Sequence, residues 1–149
     1  MVYLKDEGSY FEAPIDFVWK YIFSNELHDA AHKTTRNPKF GKVSDVTFLY
    51  GSERYLQGKW APDQLRISMF PPVSVVTEWI EGVLAGSKLV YVYSPHGGRT
   101  RIDVYGEVNS KTLPPEAIEG AVREFLESEF AADEPAIRAA YLKEKSMPS

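Results

Sequence analysis

The chain contains no cysteine. Disulfides, thiolate metal sites and a cysteine nucleophile are therefore excluded. Long apolar runs are missing too: none approaches the roughly 18 residues that read as a membrane-spanning helix. The opening MVYLKDEGSY lacks the apolar centre of a secretory signal. A soluble cytoplasmic protein is the expectation. Positive charge is not concentrated anywhere. Lys and Arg number 17 against 21 Asp and Glu, the net charge is −4, and no basic run forms a patch. This argues against a nucleic-acid partner, which needs a basic face. Several catalytic signatures are lacking as well. There is no Gly-x-Ser-x-Gly elbow. "HGGRT" at 96–100 lies between strand-like runs and reads as a hairpin turn, not as a phosphate loop.

Large rings are abundant. The 149 residues include nine Tyr, eight Phe and three Trp. A chain of this length forms one domain and buries roughly 70% of its unfolded surface. Aromatic rings build such a core, and they also wall cavities.

The order of elements can be read along the chain. Residues 2–12 read as a strand that Ala13-Pro14 ends. Proline suits a first helical turn and keeps its predecessor extended. Ile15, Val18, Trp19, Ile22 and Phe23 then recur at helical period, and Phe17 and Tyr21 fill a third direction. This helix is apolar nearly all round, so it needs neighbours on more than one side. A short second helix is expected over 26–33, and "TTRNPKFGK" at 34–42 reads as a polar loop. Period two follows, with strands expected at 43–50, 53–60, 64–70, 73–81, 87–94 and 99–108. Short turns between them imply antiparallel hairpins. "TLPPEAIEGAVREFLESEF" at 112–130 is a strong helix with prolines at its start and Ile118, Val122, Phe125 and Leu126 as its stripe. Pro135 should kink or restart it, with 136–144 as a last segment. The order predicts an α+β fold. A seven-stranded antiparallel sheet would be covered by the C-terminal helix, with the first helix between the two.

Three stretches carry a family likeness: "FEAPIDFVWKYI" at 11–22, "SPHGGRTRIDVYGEV" at 94–108 and "PPEAIEGAVREFLESEF" at 114–130. Together they resemble the helix-grip fold of the START (SRPBCC) superfamily, which includes the birch-pollen allergen, polyketide cyclases and aromatases, lipid-transfer domains and chaperone ATPase activators. The resemblance implies a curved seven-stranded sheet gripping a long C-terminal helix, with two short helices after the first strand. It also implies an apolar cavity between sheet and helix that takes a small hydrophobic or amphipathic molecule. A minority of such proteins act on that molecule, and they share no catalytic motif. No cofactor is implied, and a monomer or homodimer is expected. The polar 32–42 segment points to a ligand with a polar or anionic head.

Candidate site residues follow from position. Glu129 lies on the same helical line as Ile118, Val122 and Phe125. A carboxylate facing the sheet is costly unless paired, hydrogen-bonded or protonated. It is either a polar anchor or general acid/base in the cavity, or a residue turned to solvent or paired with a strand arginine. His28 and His32 are spaced i, i+4, which can hold a metal on one helix face. Without a third ligand they read as two surface histidines on a short polar helix, and no metal is expected. Arg36, beside Asn37 and Lys39, could grip an anionic head or sit in a solvated loop. Tyr91 and Tyr93 alternate with Val90 and Val92. Period two does not say which pair faces inward. Trp60 and Trp79 pose the same question, and with Phe125 they complete the expected ligand-binding set. Binding is the leading function. A cyclase, dehydratase or hydrolase acting through Glu129 is the alternative, and a surface-interaction module is a third.

Overall fold

A computed structural model describes residues 1–24, 28 and 31–147. Its elements are β1 (Val2–Phe11), α1 (Ile15–Ile22), β2 (Thr35–Lys42), β3 (Thr47–Leu56), β4 (Lys59–Phe70), β5 (Ser74–Glu81), β6 (Lys88–His96), β7 (Arg99–Val108) and α2 (Pro115–Ser146). All strands pair antiparallel in one curved sheet of order β1-β7-β6-β5-β4-β3-β2. Half of the second short helix expected over 26–33 lies outside the described residues. Among the described residues, no helix is long and apolar enough to cross a membrane.

One face of the sheet is inward, and period two now has a sign. Ser52, Arg54 and Leu56 of β3 are buried, as are Asp63 and Leu65 of β4. Val75, Thr77 and Trp79 of β5 and Ile102 and Val104 of β7 continue the same face. On β6 it runs through Leu89 to Tyr91 and Tyr93, which pack on the core. α2 closes this face with Ile118, Ala121, Val122, Phe125, Leu126 and Ile137.

The neighbours of α1 account for its apolar girth. Trp19 packs edge-on against Tyr93 of β6, 5.2 Å between centroids, and its indole N–H donates to the Pro72 carbonyl at 2.9 Å. Phe17 meets Tyr141 of α2 at 5.1 Å. Tyr21 is fully buried and donates its hydroxyl to Asp133 of α2 at 3.0 Å. The helix is thus wedged between the sheet and the far half of α2.

Three expectations change. The segment read as a loop at 34–42 contains β2, one of the two edge strands of the sheet. It pairs only with β3 and is exposed along almost its whole length, so it carries no apolar alternation. The turn marks that suggested a loop sit at an irregularity instead: Asn37 has φ 55°, and the register shifts between Arg36 and Lys39. Edge strands tolerate prolines and bulges of this kind.

Second, the three strands expected at 43–50, 53–60 and 64–70 are two, β3 and β4. Gly51-Ser52 lies inside β3 and Ala61-Pro62-Asp63 inside β4, while the turn falls at Gln57-Gly58, both with positive φ. Buried Ser52 and Asp63 broke the apolar pattern because they face each other in register and bond through Ser52 Oγ at 3.3 Å. Third, α2 does not restart at Pro135 but continues as one helix to Ser146. One intrahelical bond is lost there, but packing on both sides holds the helix.

Candidate functional site

Sheet, α1 and the second half of α2 enclose a cavity of about 740 Å3. Its wall is largely apolar: Phe11, Phe48, Leu65, Ile67, Val75, Phe125 and Ile137 face it. One side is polar. Tyr91 and Tyr93 of β6, Arg54 of β3, and Glu129 and Asp133 of α2 meet there with His28 and His32, which precede β2.

Helical geometry stacks Glu129 and Asp133 one turn apart on the inward line of α2. His32 bridges them: Nδ1 lies 2.8 Å from Glu129 Oε2 and Nε2 lies 2.9 Å from Asp133 Oδ1. The same Asp133 oxygen accepts from Tyr21, and His28 Nε2 stands 3.4 Å from it. From the sheet side, Arg54 donates through Nη1 to Glu129 Oε1 at 3.0 Å and through Nε to Asp63 Oδ2 at 2.6 Å. Arg54 is the diagonal neighbour of Asp63 across the β3–β4 ladder, which places its guanidinium there. Its guanidinium also lies over the Phe125 ring at 4.9 Å. The result is one chain of contacts from Ser52 through Asp63, Arg54, Glu129, His32 and Asp133 to Tyr21.

The charges in this chain set each other's ionisation. Burial works to raise the Glu129 carboxyl, yet the His32 hydrogen bond and charge and the Arg54 charge hold it below its ordinary value. Burial works to lower His32, but hydrogen bonds and charges from Asp133 and Glu129 overcome it and raise the imidazole to about 10. Arg54 is likewise held charged by Glu129 and Asp63 against the penalty of burial. Burial dominates at Asp63 and raises its carboxyl, which Arg54 and Ser52 only partly offset. Tyr91 and Tyr93 are raised by burial first and by the nearby carboxylates second.

This arrangement orients and binds more readily than it shuttles protons. Glu129 is ionised with both oxygens engaged, and both ring nitrogens of His32 are engaged. A general acid or base needs a proton position free to face the substrate. By contrast, the Tyr91 and Tyr93 hydroxyls line the cavity and make no hydrogen bond among the described residues. About a quarter of the Glu129 side chain, 24%, stays open.

The expected site residues divide accordingly. Tyr91, Tyr93, Phe125, Glu129, His28 and His32 face the cavity. Trp60 does not. It is 36% exposed on the outer face, with the Tyr55 ring tilted against it at 5.5 Å and the Arg36 guanidinium over it at 4.2 Å. Arg36 is turned outward with it and bonds Glu53 at 2.7 Å, so it grips no head group inside. Both belong to the outer face because β2 and β3 pair Arg36 with Glu53, and β3 and β4 pair Tyr55 with Trp60, outside the inward register. Trp79 is inward but buried in the core, edge-on to Phe125 at 4.9 Å, and is not among the cavity-lining residues. Glu129 pairs with a strand arginine, one of the two outcomes its position allowed. Sequence reasoning missed Arg54, Asp63, Asp133 and Tyr21. Asp133 was within reach, four residues beyond Glu129 on the same line. Arg54 and Asp63 gave no signal, since polar residues in a strand read as its solvent face.

No protein-family model matches the sequence, and a search among curated proteins finds no match. Solved structures do resemble it. The fold is the helix-grip fold of START/SRPBCC proteins, an α+β fold in which a curved sheet holds a long C-terminal helix. Ara h 8.0201 superposes with a TM-score of 0.73 at 14% identity, over 93% of this chain and 98% of that one. A START superfamily protein from Mycobacterium smegmatis gives 0.73 at 12%, over 93% and 98%. The Zhui aromatase/cyclase from Streptomyces sp. R1128 gives 0.71 at 11%, over 95% of each chain.

Proposed function

We propose that this protein binds a small amphipathic molecule in the cavity between sheet and α2. The observation that carries the reading is the division of the cavity wall: apolar over most of its surface, with an ionised cluster on one side beside two tyrosine hydroxyls that have no hydrogen-bond partner among the described residues. Its volume of about 740 Å3 suits a ligand of drug or lipid-fragment size. Burying about 200 Å2 of apolar ligand surface would contribute about 5 kcal/mol before the cost of immobilisation. Tyr91 and Tyr93 would donate to a carbonyl, ether or hydroxyl oxygen.

The charge of the cluster refines the ligand class. Protonated His32 and Arg54 face Asp63, Glu129 and Asp133, which leaves one net negative charge. A neutral or cationic polar end is therefore favoured over the anionic head that the polar 32–42 segment suggested. The cavity argues for a ligand and against a packed interaction module. The fully engaged Glu129 argues for binding rather than acid–base chemistry at that residue.

The test is displacement of a neutral fluorescent probe, N-phenyl-1-naphthylamine, by uncharged aromatic and lipid-like molecules. Wild-type protein should bind the probe at one site. Ile67→Trp, which fills the cavity, should abolish binding with the fold retained. Tyr91→Phe combined with Tyr93→Phe should weaken an oxygen-bearing ligand by about 1–3 kcal/mol, the worth of one or two hydrogen bonds. Probe binding that survives Ile67→Trp would overturn the proposal.

A further inference from the structure

We propose that His28, His32 and Asp133 form a binding site for a divalent first-row transition metal of the zinc type, open toward the cavity. One ligand atom from each of the three residues lies within 4.8 Å of the other two. Tetrahedral zinc with bonds of about 2.0–2.1 Å needs ligand atoms about 3.4 Å apart. His28 Nε2 and Asp133 Oδ1 are 3.4 Å apart already, and His32 Nε2 and Asp133 Oδ1, now 2.9 Å apart, need only separate slightly. Two histidines and one carboxylate with the remaining positions free is a donor set used by zinc and by non-haem iron.

The neighbours of these three residues are those a metal site requires. His32 presents Nδ1 to Glu129 Oε2 at 2.8 Å, and Glu129 is itself held by Arg54 at 3.0 Å. This bond keeps the Nδ1 proton in place when an ion displaces the proton that Nε2 directs at Asp133, and Nε2 is then the lone-pair donor. The arrangement is the carboxylate–histidine–metal relay in which an outer carboxylate orients the ligating ring. Tyr21 holds Asp133 through the same oxygen at 3.0 Å. The local charge also fits. Once the ion has displaced the His32 Nε2 proton, Asp63, Glu129 and Asp133 exceed Arg54 by two negative charges, which a divalent ion cancels. All three ligands line the cavity, so the open position would take water or an oxygen of whatever occupies it. The site stands apart from the ligand-binding reading, because a bare ion can be tested alone.

The experiment uses the full-length chain without an affinity tag, stripped with a chelator and titrated with Zn2+ by calorimetry against a competing chelator. Co2+ absorption serves as the second readout. One ion per chain should bind, and Co2+ should give the intense visible bands of a low-coordinate site. His28→Gln and His32→Gln should each weaken Zn2+ at least tenfold, with circular dichroism unchanged in His28→Gln, whose side chain is half-buried at the edge of the cluster. Glu129→Gln should weaken Zn2+ about 10–100-fold, as loss of an orienting carboxylate does, and shift the Co2+ bands without erasing them. Failure of the wild-type chain to bind one ion, or binding that His28→Gln and His32→Gln reduce less than tenfold, would overturn the site.

Discussion

Arg54→Met is the substitution that most directly tests the polar cluster. The Arg54 side chain is 5% exposed and that of Asp63 is 6% exposed, so their 2.6 Å bond is shielded from water. Methionine keeps much of the volume and the contact with Phe125 but strands the Asp63 carboxylate. Removing one partner of a buried pair costs about 3–5 kcal/mol, because the remaining charge stays desolvated. Against a total stability of about 5–15 kcal/mol this is a large fraction. At about 2–4 °C per kcal/mol for a chain of this size, Tm should fall by roughly 10 °C. Glu129 contributes less to the loss, since His32 still holds its other oxygen.

The double variant Arg54→Met, Asp63→Leu separates the causes. It removes the stranded charge, and should recover about 2 kcal/mol or more. The penalty in the single variant should also shrink on acidification. Burial already raises the Asp63 carboxyl, and without Arg54 only the Ser52 hydrogen bond opposes that rise. A carboxyl whose folded pKa is raised favours folding when protonated, so its stabilisation is present at low pH and lost as pH rises through the folded value. Urea unfolding followed by the fluorescence of buried Trp19 and Trp79 at pH 7 and pH 5 measures all three quantities. A cost below about 1 kcal/mol at pH 7, or a double variant no more stable than the single one, would refute the reasoning.

Two further predictions concern the aromatic residues. Trp79→Ala should cost about 3–5 kcal/mol in urea unfolding, as a buried ring leaving a hole beside Phe125, whereas Trp60→Ala should cost about 1 kcal/mol or less and leave probe binding unchanged, because its ring lies outside with Arg36 and Tyr55. Alkaline titration at the tyrosinate absorbance should show Tyr91 and Tyr93 resisting ionisation past pH 10. Their folded values lie above the ordinary value of about 10, so their stabilisation is full below pH 10 and lost as pH rises through the folded values. Tyr91→Phe with Tyr93→Phe should flatten that loss, and an unchanged alkaline profile would count against their burial.

Much of the architecture was legible because it rests on local pattern. Period 3.6 marked α1 and α2, period two marked a sheet, and Ala13-Pro14 marked the boundary between β1 and α1. Glu129 was placed on the inward line of α2 by helical geometry alone. The same geometry would have placed Asp133, had the line been followed one turn past it.

What faces that line lay beyond any local rule. Arg54 is 75 residues from Glu129 in sequence and meets it only because the β3–β4 ladder sets its diagonal against Asp63 beneath α2. β2 is solvated on both faces and held by one neighbour, so nothing in its composition separates it from a loop. The direction of Tyr91, Tyr93, Trp60 and Trp79 waited on register, since a slip of one residue exchanges the faces of a strand. Sequence therefore determined helices α1 and α2 and an antiparallel sheet between them, which depend on neighbours a few residues apart. Only the tertiary structure decided which side chains share the cavity, because that depends on how strands register and where a helix comes to rest on them.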